Sequence, residues 1–415
     1  MFRGVLWRDS DFLKLWIGQT ASASGAAITS LALPTAAILG LHAGPFEVGL
    51  LVAFQRLPFL FLTLFAGALL DRIRRRPVMI ACDIGRGIVL AAIPVAAFGS
   101  LLSMPELYAA ALLLGVFTVF FDIGVLSFLP GLIGREQLSE GYNKLDTSFS
   151  IANLIGPGLG GLLIQALTAP VALLANSATY LLSAATLALI RRPEPAMEVR
   201  EGVSIRRIAA EIGEGLTWVF RHAVLRSQLL GLTVAFFGFL MTAPLILVFA
   251  YRTLHFSPAL MGTILAAEGV SSLAGLWASS AVVRRLGLGR TIWVTQVLTA
   301  GALLAVPLAQ LGLPVLVMAA TMIVTGFSAS IQDLNQVTIR QVLTPDRLQG
   351  RMNATFRLFF WGSWPVASFV GGFLGDRLGP STAIVIGGLI ALAAALAIAL
   401  SALGRLPQRS VAAVT

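Results

Sequence analysis

The sequence predicts an all-α membrane protein with twelve transmembrane helices arranged as two pseudo-symmetric six-helix bundles. Three observations carry that expectation. Hydrophobic residues fill 57% of the 415 positions, while Asp, Glu, Lys and Arg together reach 12%, about half the usual charged share of a globular protein. A mean hydropathy of +0.88 leaves too little polar material to cover a water-exposed surface of this size. Apolar stretches of spanning length recur along the chain, and the second half echoes the first. Soluble enzymes, nucleic-acid-binding modules and disordered scaffolds are excluded at this level, so the bilayer is the expected partner and no nucleic acid is.

A helix needs roughly 20 apolar residues to cross the hydrocarbon layer. Breaks at Gly, Pro and charge clusters give six spans at about 12–40, 46–70, 78–101, 106–133, 142–167 and 170–190. Six more follow at about 227–251, 258–283, 291–310, 313–343, 351–376 and 380–403. Met1–Trp7 lacks a signal-peptide layout, so Phe12 onward is expected to be a retained first span. Many spans contain Pro, which membrane helices tolerate as bends.

The net charge of +10 is distributed unevenly between the connections. One side collects Arg3, Arg8 and Lys14, the run Arg72 to Arg76, Arg135 and Lys144, and the basic residues between Arg191 and Arg226. The same side takes Arg284, Arg285, Arg290, Arg347, Arg351, Arg405 and Arg409, whereas the other side has only Arg252 and Arg377. By the positive-inside rule both termini are cytoplasmic in a multi-pass protein of the cell membrane. The organisation expected is a bundle over 1–190, a polar linker over 191–226, and a second bundle with a short tail over 227–415. Within the linker, Ser204–Arg221 reads as an interfacial helix with Ile205, Ile208, Ile212, Leu216, Val219 and Phe220 roughly on one face.

The halves match at a spacing of about 210 residues. Leu138 and Asn143 align with Leu348 and Asn353, Gly160-Gly161 with Gly371-Gly372, Pro170 with Pro380, and Asp122 falls within one residue of the register of Asp333. Gly49 to Gln55 likewise matches Gly262 to Glu268. Two copies with a site near mid-membrane between them form a transporter architecture.

Two motifs narrow the reading. The loop Gly67-Ala-Leu-Leu-Asp71-Arg72-Ile-Arg-Arg75-Arg76-Pro77 places an acid inside a basic anchor. Gly67 would permit close helix approach, and Asp71 could face a helix N-terminus, where negative charge is favoured. Asp83 and Arg86, one turn apart on span 3, are expected to link to this loop. In span 5, Gly156-Pro157-Gly158-Leu159-Gly160-Gly161 combines a proline bend with small residues that allow tight packing. The loop resembles the Gly-x-x-x-Asp-Arg-x-x-Arg-Arg motif of the major facilitator superfamily, and span 5 is similar to the Gly-Pro-x-x-Gly-Gly signature of that family's antiporters. Phe46-Glu47-Val48-Gly49, Asp83-x-x-Arg86, Phe121-Asp122 through Leu129-Pro130, and Arg340-Gln341 to Gly350-Arg351 look like its macrolide-efflux and enterobactin-exporter branch. The second half lacks an Asp equivalent to Asp71. The resemblance implies a monomer with alternating access, a loop that latches as the halves rock, a cavity lined by spans 1, 4, 7 and 10, and proton-driven export.

Ionisable groups inside spans are costly and mark cavities or partners. Asp122, Glu268 and Asp333 are the deepest carboxylates and the expected proton carriers, because a carboxyl group in a partly dry cavity can bind and release a proton near neutral pH. Arg340 follows Asp333 by seven residues, two helical turns, which favours a salt bridge on one face. Arg56, with Arg340, is assigned to the substrate cavity, as are Gln19 and Ser24 from the polar stripe of span 1. Phe236, Phe237 and Met241 of span 7 supply soft apolar surface for bulky amphipathic compounds. His42, His222 and His255 lack metal-ligand spacing, and no Gly-x-x-x-x-Gly-Lys-Ser/Thr phosphate loop occurs, so neither metal nor other cofactor is expected.

The function expected is therefore secondary active export of an amphipathic small molecule (a drug, a macrolide-like natural product or a siderophore) in exchange for protons. The rival readings are an importer or lysolipid flippase of the same fold and a non-transporting membrane receptor or assembly protein. A membrane-embedded enzyme would need a nucleophile–base pair or a metal cluster, and the sequence offers neither. A reporter fluorescent only in the cytoplasm, fused after Thr415, should be bright in intact cells; a dark fusion that is nevertheless inserted would reverse the topology.

Overall fold

The computed structural model describes residues 4–194 and 205–406, with the side chains of 64, 135 and 205–212 left aside. Thirteen α-helices are found among the described residues, and no strand. The first six are α1 (Ser10–Thr35), α2 (Pro45–Leu70), α3 (Arg75–Phe98), α4 (Met104–Ile133), α5 (Leu138–Leu167) and α6 (Ala169–Ala188). After α7 (Ile205–Arg221) come α8 (Ala223–Val248), α9 (Pro258–Leu286), α10 (Leu288–Ala305), α11 (Pro314–Leu343), α12 (Asp346–Leu378) and α13 (Pro380–Leu400). All except α7 belong to the twelve segments long and apolar enough to cross a membrane. An α-helix satisfies its own backbone polar groups, which is what lipid demands of a spanning segment.

Helix limits follow local chemistry. The Asp9 carboxylate caps α1 by accepting from the Asp11 and Phe12 amides at 3.0 and 3.1 Å. Pro307, which has no amide hydrogen, lies where α10 gives way to a tighter turn over Val306–Gln310, so the ninth span is partly non-α. Of the expected linker helix Ser204–Arg221, Ile205–Arg221 is observed; Ser204, the rest of 195–204, and the side chains of Ile205, Ile208 and Ile212 lie outside the described residues. Val219 of α7 is fully buried beside Leu225, Leu229, Met352 and Phe356, and Glu214 pairs with Arg351 of α12. Phe220, expected on the apolar face, is exposed, because the face of α7 that packs on α12 is centred on Gly215 and Val219.

The internal repeat is visible in backbone detail. α1 runs into a wide turn at Ala36–Gly40, and α8 into an equivalent one at Phe249–Thr253. Each is followed by a histidine with positive φ, His42 at 53° and His255 at 55°. Each is closed by one amide, Ala43 to the Ala37 carbonyl and Phe256 to the Ala250 carbonyl, both at 2.9 Å. Helix pairing repeats too: α1 packs on α5 and α6 as α8 packs on α12 and α13, and α3 on α4 and α6 as α10 on α11 and α13.

Two compact units result. One holds Met1–Ala43, Phe54–Gly202 and Ser257–Thr263, the other Gly44–Ala53, Val203–Phe256 and Ile264–Thr415. In the first, a Cβ on Gly161 of α5 would collide with the Pro258 carbonyl and sit 2.9 Å from the Gly262 Cα of α9. In the second, a Cβ on Gly372 of α12 would sit 2.8 Å from the Pro45 carbonyl and 2.9 Å from the Gly49 Cα of α2. These are the same contact made twice, and only glycine fits it. The one cysteine of the chain, Cys82, is buried in the first unit among Met79, Phe121 and Leu129.

Gly161→Val must force α5 and α9 apart, and overpacking of this kind costs about 1–3 kcal/mol. Gly67, whose absent Cβ has nothing within 4 Å among the described residues, should accept Ala with no comparable loss. Thermal unfolding of both variants in detergent, compared with wild type, checks the contrast.

Candidate functional site

In the second unit, five helices enclose a cavity of about 310 Å³. Five polar residues of α11 border it, Thr325, Gln332, Asp333, Gln336 and Arg340, and spacings of three and four place the last three on one helical face. Gln336 Nε2 donates to Asp333 Oδ1 at 2.7 Å, and Arg340 Nε donates to the Gln336 carbonyl at 3.3 Å. The same carbonyl accepts from Gln228 Nε2 at 2.8 Å. The Arg340 guanidinium lies 4.5 Å above the Phe356 ring and feels the Asp333 charge. The two-turn salt bridge expected between Asp333 and Arg340 is therefore bridged by Gln336, whose side chain takes the carboxylate and whose carbonyl takes the guanidinium.

Glu268 reaches the same cavity from α9. Gly326 brings α11 against the Glu268 backbone and Cγ, and Ser272 Oγ donates to the Gly326 carbonyl at 3.1 Å. Thr299 Oγ1 of α10 and Gln336 Oε1 are buried with no hydrogen-bond partner among the described residues. Buried polar atoms are nearly always paired, so this wall has hydrogen-bonding capacity to offer a ligand. The apolar wall is aromatic: Phe236 and Phe239 stack at 6.4 Å, Phe236 meets Phe360 at 6.0 Å, and Trp361 also borders the space.

Predicted cavity residues separate here. Phe236 and Arg340 line the cavity. Met241 does not: it is fully buried with Leu240 and Ala367, its backbone pressed against Gly371, and Phe237 packs on that same cluster. On α8 the register that turns Phe236 and Phe239 to the cavity turns Met241 into the α8–α12 contact. Gln296 and Thr299 of α10 and Phe360 and Trp361 of α12 were not singled out from sequence. Polar side chains inside an otherwise apolar ninth span were the available signal for the first two.

In the first unit, Arg56 of α2 and Asp122 of α4 interact electrostatically. Gly115 lets α4 lie directly on the Gln55 carbonyl and Pro58. Gln19 has a buried Nε2 with no partner among the described residues, and Ser24 borders a separate cavity of this unit.

The loop motif is held differently from expectation. Asp71 and Arg72 are exposed, and space is open at Gly67, so no helix approaches there among the described residues. The carboxylate at the start of α3 belongs to Glu194, which accepts from the Arg75 and Arg76 amides at 2.9 and 2.7 Å. Arg76 Nε reaches back to the Leu187 carbonyl at 2.8 Å. Beside it, Asp11 accepts from the amides of Arg191 and Arg192 at 3.2 and 2.9 Å. Asp83 and Arg86 do not link to the loop. They pair with each other in the core, 0% and 3% exposed, with the guanidinium 4.0 Å from the Phe121 ring and 4.2 Å from that of Tyr180. Of the span 5 motif, Gly156 packs on Ala27, Gly160 on the Ile28 backbone and Gly161 on α9, while the Pro157 carbonyl faces Gly262.

A family model described as Major Facilitator Superfamily matches residues 15–368. The chain belongs to the major facilitator superfamily. Among curated relatives, the multidrug efflux pump Tap of Mycolicibacterium fortuitum is 27% identical over 379 residues, covering 90% of each chain. The enterobactin exporter EntS of Salmonella choleraesuis (strain SC-B67) is 28% identical over 379 residues, covering 88% of this chain and 84% of its own. The fold is shared with a bacterial homologue of the iron transporter ferroportin (TM-score 0.73, 15% identity, 95% of this chain and 98% of that one). It is also shared with the nucleoside transporter NupG (TM-score 0.71, 12% identity, 96% and 100%). As a member of this superfamily the protein is a multi-pass membrane transporter of small molecules rather than an enzyme.

Removing one partner of a buried ion pair strands the other charge, at a cost of about 3–5 kcal/mol. Arg86→Met should therefore lower the unfolding temperature sharply, while Asp71→Asn at the exposed loop position should leave it unchanged. Differential scanning fluorimetry of the two variants measures this.

Proposed function

We propose that this major facilitator is a secondary active exporter in the cell membrane, acting as a monomer with both termini cytoplasmic. It moves amphipathic small molecules outward in exchange for protons. The observation that carries the reading is the cavity of the second unit, where Glu268 and Asp333 stand in one chamber with an aromatic wall. A carboxylate among aromatic rings is costly to keep charged and unpaired. It gains by taking a proton or a cationic group of a ligand, and that exchange is what antiport requires. The names of the efflux pump and exporter relatives support the outward direction.

In this mechanism Glu268 is the primary proton carrier. Asp333 is the second acid, held by Gln336 so that its ionised form remains tolerable. Asp122 is a third carrier, balanced by Arg56 in the first unit. Phe236, Phe239 and Phe360 receive the apolar part of the substrate. Thr299 and Gln336 offer polar contacts, and Arg340 completes the proposed set in this unit. Gln19 and Ser24 are proposed as substrate contacts of the first unit taken by itself. The glycines at 156, 160 and 161 with Pro157 keep α5 tight against α1 and α9. The basic loop from Gly67 to Arg76, tied down by Glu194, is the element proposed to move as the transporter cycles.

Proteoliposomes with an imposed proton gradient test the proposal across a panel of amphipathic compounds. Gradient-driven efflux should fall at least about tenfold in Glu268→Gln, since loss of a charge-assisted contact is worth about 1.5–3 kcal/mol. Substrate exchange without a gradient should survive in that variant. Undiminished gradient-driven flux in Glu268→Gln and Asp122→Asn would remove proton coupling from these groups.

A further inference from the structure

The first unit holds a larger cavity, of about 800 Å³, bordered by α1, α5 and the connection from α4 to α5. Its polar wall has a defined bias. Thr20, Ser24 and Thr147 each donate their hydroxyl hydrogen to the carbonyl four residues back, at 2.7, 2.9 and 2.6 Å. Their oxygens therefore meet the cavity as acceptors. Glu136 and Glu140 add two carboxylates.

The ammonium of Lys144 in this wall is already engaged. Its Nζ lies 3.3 Å from Glu140 Oε1 and 3.9 Å from the centre of the Trp7 ring. Glu136 has no ion-pair partner among the described residues, so the wall keeps one uncompensated negative charge. Ser139, Asn143 and Ser148 can give or accept. Trp7 and Trp16, edge to face at 5.0 Å, supply aromatic surface, the kind that attracts cations and apolar chains.

We infer that this cavity binds organic cations carrying several N–H donors, of which a linear polyamine is the simplest. Ammonium hydrogens satisfy the hydroxyl and carboxylate acceptors, the positive charge compensates Glu136, and the methylene stem lies along the tryptophans. The volume is in the range used by sites for drug-sized ligands. A cation without donors would compensate the charge and leave the acceptors unmet, so the site distinguishes cations by their hydrogens. It lies in a different unit from Glu268, and the inference does not rest on proton coupling.

Calorimetric titration of the purified full-length protein in detergent with spermine and with tetraphenylphosphonium, which has no N–H donor, tests this. Spermine should bind saturably and more tightly than tetraphenylphosphonium. Glu136→Gln should weaken spermine about tenfold, as expected for one charge-assisted contact. Because Glu136 is exposed, the variant should unfold at the wild-type temperature, and Thr147→Val serves as a second, independent removal of an acceptor. Absence of saturable spermine binding, equal affinity in wild type and both variants, or tetraphenylphosphonium binding at least as tight as spermine overturns the inference.

Discussion

Charge carried into an apolar bundle has to be answered by something nearby, and most of this structure can be read as the set of answers. Asp83 is answered by Arg86, which is itself sandwiched by Phe121 and Tyr180. Asp122 is answered by Arg56, and Asp333 by the amide of Gln336 with Arg340 behind it. Glu268 borders the cavity, and its carboxylate has no hydrogen bond or ion pair among the described residues. The contrast between answered and unanswered acids separates groups that hold the fold from groups available for exchange.

The repeat supplies the second constraint. Gly161 against Gly262 and Gly372 against Gly49 are one packing solution used twice, and neither survives the addition of a methyl group without backbone movement. The paired wide turns and the left-handed His42 and His255 precede α2 and α9 in the same way. Two copies of a local backbone program have persisted while their polar residues diverged. The second copy carries Glu268 on α9 where the first carries Gln55 on α2.

The helices and the repeat were legible because lipid imposes them directly on composition: spanning length, glycine and proline placement and basic connections are all one-dimensional signals. The site was legible in part. Asp333 and Arg340 share a face by simple spacing, but sequence has no means of showing that Gln336 stands between them. Met241 was drawn toward the cavity by its chemistry, whereas the register of α8 assigns it to the packing face on α12, against Gly371. Glu194 was missed because its partners are backbone amides some 120 positions earlier, and amides carry no residue-type signature. Asp71 fitted a motif, and the motif cannot say which carboxylate finally sits on the helix end.

Cys82 has a practical consequence for labelling. It is the sole sulfhydryl in the chain and lies buried beside Met79 and Phe121. Burial of this kind should slow its reaction with maleimide reagents that stay in water. Paired reporter groups can therefore be attached at engineered surface positions against a low chemical background, and distances between them followed through a turnover without first deleting native sulfur.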